Sequence, residues 1–287
     1  MWVNDATVDI VFGAKKLTGR LRGTVGRTAG GLAMDINAEM ESITVGKHKL
    51  TKVHGHVTKK AKGLLVRVDD LSARAYGGRL AGREVMIHLS DPARYAFRLF
   101  YENVRLGDLV NAGVEDPKLR SDVKGRLDGD VRLEAVAGGS HTRRASGRVI
   151  ISKGRLYKMP IVLGLMHVLY LSLPGDAAFT KGHLEYRIRG NTMVFEEIYL
   201  DGSAMSLVGS GSMDMKTEML KLTFLAGPPG RIPRLQGLVT DVLKAVLKEL
   251  LEIRVTGPLA KPRTKTVPLR SIDKILKELF RPSRRIK

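Results

Sequence analysis

The stretch DVKGRLDGDVRLEA, Asp122 to Ala135, decides the fold class. Every second residue from Val123 is apolar or glycine: Val123, Gly125, Leu127, Gly129, Val131, Leu133 and Ala135. The residues between them, Lys124, Arg126, Asp128, Asp130, Arg132 and Glu134, are all charged. A period of two is the pattern of a strand with one face buried and one in water; a helix would scatter these charges around its circumference. At about 3.3 Å per residue the run spans roughly 45 Å, against ~17–20 Å for common strands. Gly125 and Gly129 lie on the apolar face, where glycine weakens a strand and leaves room for a bend or a close approach. The expectation is a mainly β protein, an elongated, curled antiparallel sheet with an apolar concave side.

The same pattern recurs on both sides of this stretch. Residues 1–100 read as successive strands, beginning with ATVDIVF almost at the start. LTGRLRGTVG places Leu17, Gly19, Leu21, Gly23 and Val25 on one face, and GLAMDINAEM does the same with Leu32, Met34, Ile36, Ala38 and Met40. KVHGHV and LLVRVDDLSARAYGGRLAG (64–82) continue it as extended segments, and RYAFRLFYENV (94–104) is one more strand. RLGDLVNAG reads as a single helical turn or short helix. An apolar-x-Gly-Arg-Leu-x-Gly device appears at 17–23 and 123–129, with echoes at 77–82 and 151–157. Its spacing is irregular, so it is a reused local device rather than a solenoid of fixed period.

The second half adds helical signals. PIVLGLMHVLYLS (160–172) opens on a proline suited to a first helical turn and is apolar on nearly all sides, with His167 and Tyr170 its only polar handles. Four strands follow, with a Gly190-Asn191 hairpin signal between the first two. LQGLVTDVLKAVLKELLEI (235–253) has apolar residues at i, i+3 and i+4, the stripe of an amphipathic helix. An extended segment leads to SIDKILKELF, a last short amphipathic helix with Ile272, Ile275, Leu276 and Leu279 on one side, and to the basic tail RPSRRIK.

Composition bounds the function classes. With 287 residues and 43% hydrophobic content the chain can bury a core, and 31 glycines suit strands broken by turns. The net charge is +20, and 15 basic against 5 acidic residues fall in residues 231–287. Such a charge favours anionic partners. The absence of cysteine excludes a disulfide scaffold, cysteine-ligated zinc and a cysteine nucleophile. The first residues lack the basic start, apolar stretch and cleavage site of a signal peptide, and no apolar run reaches the length of a membrane-spanning helix. A strand that begins almost at once reads as the later part of a longer product.

No catalytic constellation stands out: there is no G-x-S-x-G elbow, H-E-x-x-H, P-loop or G-x-G-x-x-G after a strand. His54 and His56, with His48 nearby, are the best metal candidates. Lys47, Lys49, Lys52, Lys59 and Lys60 surround them and oppose a cation, so sheet-surface histidines are the preferred reading and no metal or cofactor is expected. Glu196 and Glu197, being adjacent on a strand, face opposite ways and do not pair. RRAS (143–146) matches a kinase recognition pattern over four residues, which a surface loop explains equally. Aromatic residues make up 5% of the chain and do not interleave with the basic ones, which disfavours nucleic acid. Lys274, Lys277, Arg281, Arg284 and Arg285 beside amphipathic helices suit an anionic membrane surface or a partner protein better. Scattered aromatics argue against a transmembrane barrel, which needs two aromatic girdles.

Residues 147–268 resemble the C-terminal region of the AsmA-like superfamily. The resemblance rests on the glycine-rich entry GRVIISKGRLYKMP into an apolar helix, the F-x8-I strand, the run LDGSAMSLVGSGSMD and the closing IRVTGPLAKP. Residues 1–146 fit more loosely, as the repeated strands that precede this region, and 269–287 form a short helix and tail. The resemblance implies a curled sheet whose apolar groove carries phospholipid in the envelope of a diderm bacterium, at the periplasmic side of the inner membrane, with no catalytic residues. Members of the family carry an N-terminal anchor, and the expectation is that this sequence is the later part of such a protein. On this reading the groove candidates are Leu32, Met34, Ile36, Val123, Gly125, Leu127, Gly129, Val131, Leu133, Leu207 and Leu222, and the protein binds or conducts acyl lipid without being an enzyme. The rival expectation is a scaffold or assembly factor that binds an envelope protein through its sheet edge and terminal helices.

Overall fold

Alternating apolar and charged residues pair into ladders wherever hydrogen-bonding partners lie on both sides, and this chain supplies them in sequence order. The computed structural model describes residues 6–12, 15–28, 31–156, 179–203, 205–234, 250–267, 275–277 and 279. Its strands are β1 (Ala6–Phe12), β2 (Lys15–Thr28), β3 (Gly31–Val45), β4 (His48–Lys59), β5 (Leu65–Ala75), β6 (Gly78–His88) and β7 (Arg94–Arg105). After the short helix α1 (Leu106–Val110) come β8 (Lys124–Val136), β9 (Arg144–Arg155), β10 (Lys181–Arg189), β11 (Thr192–Asp201), β12 (Ser206–Asp214), β13 (Met219–Gly227), β14 (Leu251–Pro258) and β15 (Arg263–Val267). They are hydrogen-bonded in chain order from β1 to β15, and the order does not close on itself. The pairs from β1 to β7 and from β10 to β15 are antiparallel. The expectation of a mainly β, antiparallel, open sheet holds. Two compact units are present: unit 1 contains residues 1–120 and 128–145, and unit 2 contains 121–127 and 146–287.

In unit 1 the apolar residues stay on one face although their parity changes along the strands. On β5 they run Val66, Val68 and then Leu71, Ala73, Ala75; on β6, Gly78, Leu80, Gly82 and then Val85, Ile87. Each change is absorbed by an extra residue. Asp70 is the additional residue opposite β4, Lys52 opposite β5 and Glu84 opposite β7, where the registers shift. All three have positive φ, 49° for Lys52, 52° for Asp70 and 53° for Glu84, and Asn103 on β7 has φ 56° where Leu99 and Tyr101 give way to Val104. A one-residue slip would turn the following apolar side chains to water, so the bulges preserve the face and sharpen the local twist.

Residues 64–82, read from the sequence as extended, fold into a hairpin. Tyr76 (φ 52°) and Gly77 (φ 74°) make the turn between β5 and β6, and Arg105 N–H donates to Tyr76 O. Tyrosine is an unusual turn residue, and the apolar alternation resumes at once in β6, which masks the Gly77-Gly78 signal beside it. The expected helical turn after β7 is α1, with Leu106 buried and Arg105 Nε 2.5 Å from Asp108 Oδ2.

Unit 2 covers its sheet. On β12 and β13 one face carries Val208 and Leu225, which pack with Ile232, Leu250, Ile275 and Leu279 into a buried cluster flanked by Tyr199 and Leu276. The opposite face carries Leu207, Leu222, Phe224, Ile253 and Val255, all buried. Ser210 Oγ donates to Leu279 O at 2.7 Å, tying the C-terminal segment to the sheet. Ile275–Lys277 and Leu279 are helical, with Ile275 and Leu279 inward and Lys277 exposed, as the stripe predicted. The expected helix at 160–172 and most of the one at 235–253 lie outside the described residues. The end of the latter is corrected: Leu251, Glu252 and Ile253 begin β14, with Ile253 opposite Phe224. Backbone pairing to β13 overrides helical propensity there.

Candidate functional site

The first candidate is the apolar face of unit 1. Cross-strand registers build it from named neighbours. Ile36 lies opposite Val57 and Val57 opposite Val68; Met40 lies opposite Val53; Leu71 opposite Gly82, and Gly82 opposite Leu99; Ala73 opposite Leu80, and Leu80 opposite Tyr101. Asp130 accepts from Arg98 Nη2 at 3.4 Å on the charged face, which puts Gly129, Val131 and Leu133 on the apolar one. Along β3 exposure falls from 43% at Leu32 to 9% at Ile36, with Met34 between them. Val57, Val68, Leu71, Leu80, Leu99, Val131 and Leu133 are half-buried. α1 packs against β7, and the segment after it reaches the β3–β4 turn, where a Cβ on Gly113 would lie 3.1 Å from Lys47 Cβ. Toward that end of the sheet Val53, Ala73, Ala75 and Val104 are buried.

The remaining groove candidates fall in unit 2 and are closed in. Val123, Leu127, Leu207 and Leu222 are buried. Gly125 meets the close approach the sequence suggested: with φ 146°, a Cβ there would lie 3.3 Å from Gly154 Cα and 3.4 Å from Ile151 Cγ2. Of the basic terminal candidates, Lys277 is exposed; Lys274, Arg281, Arg284 and Arg285 lie outside the described residues.

A cavity of about 600 Å³ opens at one strand end of unit 1. Thr24, Asp35, Thr58 and Arg67, consecutive cross-strand neighbours, line it together with Ala33, Met34, Lys59, Lys60, Gly63 and Leu65. Lys59 Nζ donates to Leu32 O at 2.6 Å and to Lys60 O at 3.2 Å. Asp35 Oδ1 lies 2.7 Å from His56 Nε2. Lys60 and Arg67 are exposed, which leaves the cavity cationic. His48 Nδ1 goes instead to the Tyr76 hydroxyl at 2.7 Å, and His54 is exposed. The three histidines therefore do not converge. The Tyr76 hydroxyl is raised above its usual range by burial and by the nearby Asp108 charge.

A second cluster, not anticipated from the sequence, joins His183 and Glu185 of β10 to Glu197 of β11 and Arg234. The three ligand atoms lie within 4.8 Å of one another, close enough for a cation. Arg234 already supplies the positive charge. Its guanidinium binds Glu197, and Nη2 lies 3.1 Å from Glu185 Oε1 and 2.5 Å from His183 Nε2. His183 Nε2 is also 3.0 Å from Glu185 Oε1, so it accepts from the guanidinium or donates to the carboxylate, not both. Side-chain exposure is 4% for Glu197 and 10% for His183, which makes the guanidinium the balancing charge for a buried carboxylate. Burial alone would push the Glu185 carboxyl up. Hydrogen bonds and charge from His183 and Arg234 outweigh it and hold the group below the usual carboxylate range. The bond to Glu197 raises the Arg234 guanidinium against the opposing effect of burial. The expected strict alternation of Glu196 and Glu197 does not hold: Glu196 is the extra residue of a bulge in β11, and it pairs with Arg187, which shares the β10 face of Glu185, instead of joining the Arg234 cluster. The local signal was H-x-E on one strand face; the arginine comes from 49 residues away.

Ser146 of the RRAS pattern is half-buried in β9, not in a loop. Comparison with protein-family models, curated proteins and solved structures finds no match. Among the described residues no helix is long and apolar enough to cross a membrane.

Proposed function

We propose that the chain is a non-enzymatic lipid-binding protein of the cell envelope, and that the apolar face of unit 1 takes acyl chains. One observation carries this reading. Met34, Val57, Val68, Leu71, Leu80 and Leu99 are held on a common face by bulges, yet each keeps part of its surface open to solvent. An aliphatic surface built at such conformational expense favours an apolar occupant, and each methylene it removes from water contributes ~0.8 kcal/mol. A chain bound this way needs no specific polar contact, which suits a ligand that slides. The resemblance of residues 147–268 to the AsmA-like C-terminal region supports the same class of ligand, phospholipid, and a periplasmic setting.

The test is displacement of a fluorescent fatty acid from the purified chain. The account expects saturable binding, weakened at least tenfold by Met34→Asp combined with Leu80→Asp, with the circular dichroism spectrum unchanged. A folded wild-type protein that binds no acyl probe sinks the reading and turns attention to a protein partner at the sheet edge.

A further inference from the structure

Antiparallel order brings the β2–β3, β4–β5 and β6–β7 turns to the same side of unit 1. Large apolar residues are exposed along this rim: Leu64 at 51% and Leu89 at 47%, with Leu32, Met86, Ile87 and Tyr95 beside them. The rim is knit together. Leu89 N–H donates to Leu64 O at 2.8 Å, which sets the two leucine turns side by side. Lys59 Nζ reaches Leu32 O across the next pair of turns. Gly31, at φ 110°, lets Ala61 O come within 2.8 Å of where a Cβ would stand. Lys60, Lys62, Arg67 and Arg94 are exposed around these leucines, against Asp91 in the β6–β7 turn and Asp35, two strands from Arg67.

We propose that this rim docks on an anionic lipid bilayer surface, with Leu64 and Leu89 entering the interface and Lys60, Lys62, Arg67 and Arg94 meeting phosphate head groups. Exposed aliphatic side chains grouped on turns and ringed by cations are the composition that interfacial binding requires, since apolar insertion and attraction to acidic lipid add. A nucleic-acid strand would find one stacking ring here, Tyr95, and would gain nothing from the leucines. The rim is also continuous with the apolar face, because Leu32 begins the row that runs through Met34 to Ile36. Docking goes beyond lipid binding by the face and does not depend on it.

The experiment is flotation of the full chain with phosphatidylcholine vesicles that contain or lack phosphatidylglycerol. Each net basic residue near an acidic surface is worth roughly fivefold, so a net of two at this rim predicts about a twenty-five-fold preference for the acidic vesicles, falling with salt. Leu64→Asp with Leu89→Asp, and separately Lys60→Glu with Lys62→Glu, each weaken binding at least tenfold. Arg284→Glu with Arg285→Glu, in the tail, leaves it within a few fold. Both leucines are exposed, so the rim variants keep the wild-type melting temperature and the wild-type affinity for the acyl probe. In a Leu89→Trp variant, brominated lipid quenches the new fluorescence. Equal binding to both vesicles, loss of binding only in the tail variant, or a Leu89→Trp signal that brominated lipid leaves untouched overturns the proposal.

Discussion

Units 1 and 2 use the same building element, a strand with one apolar and one polar face, and they bury it differently. All nine of the largest fully buried side chains, Phe224, Leu225 and Ile253 among them, lie in unit 2. There Ile232, Leu250, Ile275 and Leu279 come back over the sheet, and Arg234 clasps the polar side beside them. In unit 1 Val57, Val68, Leu71, Leu80 and Leu99 keep part of their surface in solvent, while Val53 and Val104, toward the α1 end, are buried. A sheet face becomes a closed core when later chain covers it; left partly uncovered, it stays open to an occupant. The two units differ in the segments that return over their strands rather than in the strands themselves.

Truncation of the two faces breaks or sharpens this contrast most strongly. Phe224→Ala in unit 2 is expected to cost about 3–5 kcal/mol, because it opens a cavity in a closed core. Val68→Ala on the half-buried face of unit 1 should cost about 1 kcal/mol or less. Denaturant unfolding of both variants, read by hydrogen exchange in each unit, checks the ratio; equal costs would mean that the unit 1 face is a closed core too.

The next effect is electrostatic. Arg234→Leu strands the buried Glu197 and should destabilise unit 2 by about 2 kcal/mol, a figure reduced for the solvent that reaches the guanidinium. Arg234→Lys, a point charge without the fork, should recover part of it. The Glu185 carboxyl sits below its ordinary value of 4.5 in the folded chain. Its contribution is therefore present above that value and lost as the pH falls through and below it. Thermal unfolding from neutral pH to about pH 3 should fall more steeply in the wild type than in Glu185→Gln, and parallel curves would contradict the assignment.

The smallest effect concerns the bulges. Lys52 and Glu84 hold positive φ without the freedom of glycine. Lys52→Gly or Glu84→Gly should be neutral or stabilising by up to about 1 kcal/mol, while proline at either place should be strongly destabilising. Loss of stability in both glycine variants would show that the side chains, not the backbone, hold the bulges.

Much of this architecture could be read from residues alone. The alternation from Val123 to Ala135 announced the strand class, and the Gly190-Asn191 pair its hairpin. The bulges were legible too, since Val66 and Val68 give way to Leu71, Ala73 and Ala75 with a change of parity, but a scan for strict alternation passes over that change. The β5–β6 turn did carry a signal in Gly77 and Gly78, but apolar and small residues continue through Tyr76 and mask the break. Leu251 to Ile253 carried a helical stripe that strand pairing overrode. The Arg234 cluster and the leucine rim were out of reach, because each joins segments distant in sequence, and only register and turn placement bring them together.

The most direct test of the central claim is native mass spectrometry of the purified chain, followed by solvent extraction and lipid identification. The account predicts a folded protein carrying phospholipid, with the bound mass lost in the Met34→Asp, Leu80→Asp variant and retained in Phe224→Leu, which leaves the unit 1 face intact. A folded wild-type chain with a clean protein mass and an extract free of lipid would contradict it.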